Sequence, residues 1–169
     1  GGGGGGYTPW ANYSLPAIWT IVNSQDSNKI WQQAAGWKNT ADLTLLHLSN
    51  LRQYKNQLIE AWPPERSEAS AAYMAELDKL ISSVQETHDA ASANHSAVQS
   101  LALALDDAKR KLKPLYEEYV ANQKKLDDSN WFEDLLEPII GSPVPEGRQE
   151  QLSNQAGAIM YGISGEIIT

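Results

Sequence analysis

The residues of this chain that are suited to catalysis or metal binding are few and scattered. Histidine, the side chain that changes charge near neutral pH, occurs three times, as His47, His88 and His95. The last two lie seven residues apart and share one face of a helix, but neither follows a glutamate at the Glu-x-x-His spacing of metal sites in helical bundles. We interpret this pair as packed or partly solvated side chains rather than as metal ligands.

Other patterns of chemical function are missing from the sequence. Cysteine is absent, which removes thiol nucleophiles, disulfides and Cys-based metal sites. No serine lies in a Gly-x-Ser-x-Gly motif, and there is no glycine motif for phosphate binding. The adjacent acids at 106–107 and 117–118 have basic neighbours and are typical of solvated helix faces. The sequence therefore predicts a protein that is not an enzyme, with no catalytic residue, no cofactor and no metal.

Charge and hydropathy restrict the partners. The chain has 169 residues, a length typical of one domain, and 21 acidic against 13 basic residues give it a formal net charge of −8. This balance argues against nucleic acid or an anionic membrane as the main partner, because both need a basic footprint. No apolar run reaches the roughly 18 residues that a membrane span requires, and we expect no transmembrane segment and no ordinary secretory signal.

Two long helices joined at a double proline are the predicted framework. Pro63 and Pro64 cannot lie inside a helix, and the residue before a proline is pushed out of the helical region. We therefore expect the first helix to run from about Ser27 to Ala61, and the second to start near Ser67 as its N-cap. The predicted turn motif is Trp62, Pro63 and Pro64. In this interpretation Trp62 is a buried packing anchor, whose removal costs roughly 3 kcal/mol or more.

Each predicted helix carries one apolar stripe, spaced mostly by three and four residues. On the first helix the stripe consists of Ile30, Ala34, Trp37, Ala41, Leu45, Leu48, Leu51, Leu58 and Trp62. On the second it consists of Ala69, Tyr73, Leu77, Leu80, Val84, His88, Ala91, His95, Val98, Leu101, Leu105, Ala108, Leu112, Leu115 and Tyr119. A near-heptad repeat of this length predicts left-handed supercoiling. The predicted fold is all-α: an elongated, long antiparallel helical hairpin with a coiled-coil-like seam and short flanking helices.

The far half of the second helix extends beyond the first helix and needs another cover. We predict a partner-binding surface there, formed by Val98, Leu101, Leu105, Leu112, Leu115 and Tyr119. Two covers are possible: residues 131–140 folding back, or a second chain, of which we favour the second chain. Pro114 is expected to kink this helix without ending it, because the seam continues to Tyr119.

The predicted organisation has three parts. Residues 1–6 are a glycine linker or tag, and residues 7–128 are the hairpin domain with an aromatic N-terminal segment. In that segment Ser14 is expected to cap a short helix with Pro16 in its first turn, which packs across the hairpin or docks a partner. Residues 129–169 are expected to form a short C-terminal helical extension, truncated within a longer protein. It contains a compact amphipathic helix at 131–140 and a second segment that is helical before Gly162 and Gly165.

With these features the chain resembles the Trp-x-Gly helical hairpins exported by bacterial type VII secretion systems, in particular the longer PPE-like proteins of actinobacteria. The resemblance rests on the first helix ending at Trp62, the restart at 67–69, Tyr73, the longer second helix, the Trp-bearing segment at 15–22, and the late pattern Leu152-x-x-x-Ala156-x-x-x-Met160. Pro64 stands where the family has its bend glycine. The family's export tag, a tyrosine followed four residues later by an acid, is not matched at Tyr116, Tyr119 or Tyr161.

The resemblance implies a non-enzymatic secreted or export-targeting protein, or the N-terminal recruiting domain of one, that associates with a partner hairpin. It implies a location in the cytoplasm before export, and then outside the cell or at its surface by a route independent of a signal peptide. The residues leave open an alternative from another class: a structural subunit that self-assembles into a filament or scaffold. In both cases the expected partner is a helical protein or a second copy of the chain.

Overall fold

Helices account for all regular structure in the part of the chain that the structure describes, and no strand occurs there. A computed structural model describes residues 8–128 and 144–168, the last three of them for the backbone alone. The order is a 3₁₀ turn at Trp10–Asn12, α1 at Leu15–Asn23, α2 at Ser27–Ala61, a 3₁₀ turn at Pro64–Arg66, α3 at Glu68–Asp128 and α4 at Arg148–Ile168. The predicted all-α class is confirmed. The predicted glycine linker at 1–6 and the predicted helix at 131–140 lie outside the described residues.

The chain divides into two units. The first, which we call the hairpin unit, comprises residues 28–100, and the second, which we call the core unit, comprises residues 1–27 and 101–169. Helix α3 contributes its residues 68–100 to the hairpin unit and 101–128 to the core unit. None of the described helices is long and apolar enough to cross a membrane.

The bend of the hairpin unit follows the prediction for the backbone. Helix α2 ends at Ala61, and the Trp62 N–H still donates to the Leu58 carbonyl at 2.7 Å. Pro63 is extended, which breaks the helix as its missing N–H requires. Ser67 caps α3, because its Oγ accepts the Ser70 N–H at 3.2 Å.

The side chain that secures the bend is Ser70 rather than Trp62. Ser70 is fully buried, and its hydroxyl donates to the Trp62 carbonyl at 2.6 Å. The Trp62 indole is 38% exposed and lies tilted against the Tyr73 ring, with 6.3 Å between the ring centroids. The prediction of a buried Trp62 anchor is therefore wrong. Two helices alone cannot enclose an indole, and a small hydroxyl fits the narrow space between them.

The seam of the hairpin unit is narrower than the predicted stripes. The buried apolar residues are Ala34, Ala41 and Leu48 on α2, and Met74, Leu77 and Ala91 on α3. Several larger members of the stripes are exposed by 39–51%, namely Trp37, Leu45, Tyr73 and Leu80. Because an antiparallel pair of helices buries only the positions that face each other, the flanking positions stay open to solvent.

The core unit buries residues from four separate segments. Its apolar cluster consists of Trp10, then Leu15, Ile18 and Val22 of α1, Ala104, Ala108 and Leu112 of α3, and Leu152, Ala156, Met160 and Ile163 of α4. The α4 residues Leu152 and Ala156 are fully buried, as is Leu112. The cover for this part of α3 therefore includes α1, which was expected to pack across the hairpin or to dock a partner, and also α4.

Contacts from α4 hold the N-terminal segment in place. The expected cap of α1, Ser14, makes no side-chain capping bond. Instead the Leu15 N–H donates to the Ser153 hydroxyl at 3.0 Å, so that a serine from α4 satisfies a donor at the start of α1. The Trp10 indole N–H donates to the Ser164 hydroxyl at 3.4 Å. Near Gly157 the Trp10 carbonyl lies 3.5 Å from where a Cβ would be.

Helices α3 and α4 both continue past residues that often end a helix, namely proline and glycine. Helix α3 continues through Pro114 to Asp128, as expected from its seam, and α4 continues past Gly162 and Gly165 to Ile168. Arg148, at the start of α4, forms a two-point ion pair with Glu118 of α3 at 2.7 and 2.9 Å. This contact fixes the start of α4 on α3.

Candidate functional site

The two seam histidines are structural. The Nδ1 atoms of His88 and His95 lie 2.9 Å from the carbonyl oxygens of Ala41 and Ala34, respectively. A carbonyl only accepts, so Nδ1 carries the hydrogen in both rings. The two bonds repeat at the same seven-residue interval on both helices, which sets the antiparallel register. Within the described residues, no group of three His, Cys, Asp or Glu side chains could hold a metal ion.

The structure does not bring the six predicted partner-binding residues together into one exposed surface. Val98 belongs to the hairpin unit and is half-buried. Leu112 is fully buried in the core unit, and three others are half-buried against the same cluster, namely Leu105, Leu115 and Tyr119. Leu101 is 42% exposed. The expectation that a second chain covers Leu112 is thus corrected, because the chain covers it with its own α1 and α4.

The register of the hairpin unit creates two edges of different character. On one edge, which we call the ion-pair edge, Arg52 donates to the Gln85 side-chain oxygen at 3.1 Å, and Lys55 pairs with Asp78. Residues seven apart share a face of a supercoiled helix, so Leu45 lies on this edge one heptad before Arg52. Long polar side chains thus bridge α2 and α3 along this side.

The opposite edge is marked by the Tyr54 and Tyr73 hydroxyls, which lie 3.4 Å apart. Steps of seven residues from this pair give the positions that share its side of each helix. We define the uncharged edge as Thr40, His47 and Tyr54 on α2 together with Tyr73, Leu80 and Thr87 on α3. None of the six is Asp, Glu, Lys or Arg, and all six are exposed.

Three residues supply most of the large apolar surface of the uncharged edge. Tyr54, Tyr73 and Leu80 are exposed by 46%, 44% and 49%, respectively. Hydrogen bonding to Tyr73 raises the pKa of Tyr54 above its usual value, and the charge interaction with Tyr73 acts in the same direction. The edge therefore presents aromatic and aliphatic surface with neutral hydroxyls, a composition that is enriched at the centres of protein interfaces.

The sequence contains a signal for this edge that the predicted apolar stripes do not include. The prediction assigned Tyr73 and Leu80 to the seam, and it left Thr40, His47 and Tyr54 out of the stripe of the first helix. Their seven-residue spacing and lack of charge were visible in the sequence. Their alignment with Tyr73 and Leu80 was not, because it depends on the register of the two helices.

The core unit also contains a groove with a volume of about 400 Å³. Its walls include Pro16 of α1 and the α3 residues Tyr116, Tyr119 and Val120, with Asp127 and Asp128 toward the end of that helix. The Trp19 ring stacks on Tyr116 at 5.2 Å. The lining residues that the structure describes include no serine, cysteine or histidine, so they contain no nucleophile–histidine pair.

No protein-family model, curated protein or solved structure matches this chain.

Proposed function

We propose that this chain is a helix–helix association module that binds a second helical hairpin through the uncharged edge. The observation that carries the proposal is the contrast between the two edges of one hairpin. The ion-pair edge has charged and polar side chains joined across the helices beside Leu45, whereas the uncharged edge has no charged residue and leaves Tyr54, Tyr73 and Leu80 about half exposed. Exposed apolar surface of this kind is stabilised when another apolar surface covers it.

The size of the edge is sufficient for a specific interface. On α2, the seven-residue series of edge positions contains no charged residue from Gln33 to Ala61. This part of the helix is about 42 Å long at 1.5 Å per residue. Two helices side by side are about 20 Å wide, so the whole side of the hairpin that carries the edge measures at most roughly 800 Å². This is the area that standard stable interfaces bury per side.

The partner that we propose to test is a second copy of the chain. With a net charge of −8, two copies repel each other over most approaches. The uncharged edge avoids this repulsion, and its hydroxyls both donate and accept hydrogen bonds, as a self-complementary surface requires. Two hairpins paired in this way would form a four-helix bundle.

The resemblance to Trp-x-Gly hairpins supports a more specific role as an export substrate, or a recruiting domain, of a type VII-like secretion system. The bend at Trp62 between α2 and α3 is consistent with that role, as is the N-terminal helix α1. In this role the chain would be cytoplasmic before export and then secreted or at the cell surface. The alternative is a structural subunit of a filament or scaffold, which needs two different contact surfaces and gives open-ended assembly.

The test compares two leucines of equal exposure on the two edges. Leu80 on the uncharged edge is 49% exposed, and Leu45 on the ion-pair edge is 51% exposed. Sedimentation velocity over a range of concentrations is measured for the wild type, Leu80→Glu and Leu45→Glu at neutral pH. We expect the wild type and Leu45→Glu to form a closed dimer, and Leu80→Glu to remain a monomer with unchanged helicity.

Three results would contradict parts of this proposal. A wild type that stays monomeric at all concentrations rules out self-association through the edge. Equal weakening by both substitutions shows that the edge is not the contact. Assembly that grows without limit as concentration rises contradicts a closed pair and favours the filament subunit.

A further inference from the structure

We infer that His47 makes association through the uncharged edge sensitive to pH, so that acidification separates the paired hairpins. This inference rests on the proposed function, because it concerns the regulation of the same surface. His47 is exposed and occupies the middle of the three α2 positions that define the edge, seven residues from both Thr40 and Tyr54. The register that pairs Tyr54 with Tyr73 places His47 beside Leu80.

The surroundings of His47 supply no acidic partner on its own helix. The residues one turn away on α2 are Leu43, Thr44, Asn50 and Leu51, and none of them carries a charge. A proton gained by His47 would thus find no opposite charge on α2 at the distance of a neighbouring side chain.

Several titratable groups lie on α3 and along the edge. On α3, Glu76 pairs with Lys79 at 3.0 Å, and Glu86 directly precedes the edge position Thr87. Tyr54 and Tyr73 are the other titratable groups of the edge, and their hydroxyls lie 3.4 Å apart. His88 lies in the seam, where its Nδ1 is 2.9 Å from the Ala41 carbonyl and 3.3 Å from the Thr44 hydroxyl.

Protonation of His47 therefore introduces a positive charge into the centre of an interface made of apolar and hydroxyl groups. In a symmetric pair each copy contributes one such charge. Histidine is the side chain whose ordinary pKa places its change of charge between pH 5 and 8. Burying an unpaired charge away from water costs free energy, and this cost opposes association. In the free chain His47 is exposed, so its charge stays in contact with water and the cost does not arise.

The experiment measures the dimer dissociation constant of the full chain at pH 7.5 and 5.5 by sedimentation. It compares the wild type with His47→Gln, which is neutral at both pH values, and with His47→Arg, which is charged at both. For the wild type we expect about tenfold weaker association or more at pH 5.5. For His47→Gln we expect less than a twofold change, and for His47→Arg weak association at both pH values. Circular dichroism at each pH checks that the hairpin remains helical.

The outcomes separate this inference from the proposed function. No association of the wild type at pH 7.5 refutes the proposed function and removes the basis of the inference. Association that is equally strong at both pH values refutes the inference alone. A loss of association on acidification that is as large in His47→Gln as in the wild type also refutes it, because another group would then be responsible.

Discussion

Replacement of Leu112 by alanine tests directly whether the far part of α3 is covered by its own chain. Leu112 is fully buried in the core unit, between residues of α1 and α4. Truncation removes the transfer free energy of the lost methyl groups and leaves a cavity, which in other cores costs about 3–5 kcal/mol. We expect Leu112→Ala to lower the free energy of unfolding by about 3 kcal/mol.

Leu101→Ala is the matched control, since both leucines lie on α3 within the core unit. Leu101 is 42% exposed, and water can fill the space of its lost methyl groups, so we expect a cost of about 1 kcal/mol or less. Urea unfolding of both variants is followed by circular dichroism at a concentration where the chain is monomeric. If the two variants lose the same stability in the monomer, the burial of Leu112 by α1 and α4 is refuted.

Three further predictions concern the contacts that hold the helices. Ser70→Ala removes the buried hydrogen bond to the Trp62 carbonyl, and it should lower the free energy of unfolding by about 1–2 kcal/mol in thermal or urea unfolding. Trp62→Ala should lower it by only about 1 kcal/mol, because the indole is partly exposed. Hydrogen bonding to Arg148 lowers the pKa of Glu118. This pair should therefore stabilise the packing of α4 fully above the ordinary glutamate pKa of about 4.5, and its contribution should be lost as the pH falls through the lowered pKa. Arg148→Gln should remove this part of the acid dependence in a pH series of urea titrations. Gly157→Ala should leave stability unchanged or raise it by about 0.5 kcal/mol, because glycine is unfavourable inside a helix. The new Cβ would lie 3.5 Å from the Trp10 carbonyl, which is an ordinary van der Waals contact. A clear decrease in melting temperature would contradict this prediction.

The bounds of the hairpin helices were predictable because local chemistry sets them. Helix α2 begins at Ser27 and ends at Ala61 as expected, since Pro63 and Pro64 exclude any continuation. The start of α3 depends on Ser67 as its cap, another local signal. These features need no knowledge of distant parts of the chain.

The contacts that were missed join residues far apart in the sequence. Ser153 accepts the N–H of Leu15 across 138 positions, and a helix cap supplied in this way leaves no pattern next to α1. The cover of Leu112 by Leu152 likewise depends on how α4 packs. The exposure of Trp62 depends on the width of the seam, which hydrophobicity along one helix does not reveal.

The most direct test of the central claim is the accessibility of the uncharged edge as the chain associates. These 169 residues include no cysteine, so a single introduced thiol reports on one position. Thr87→Cys places it on the uncharged edge, and Ser92→Cys places it on the ion-pair edge, one heptad after Gln85; both positions are exposed. The rate of maleimide labelling is measured at pH 7.5 from low to high protein concentration. We predict that labelling of Thr87→Cys slows as concentration rises while that of Ser92→Cys stays constant; equal rates at every concentration would contradict association through the uncharged edge.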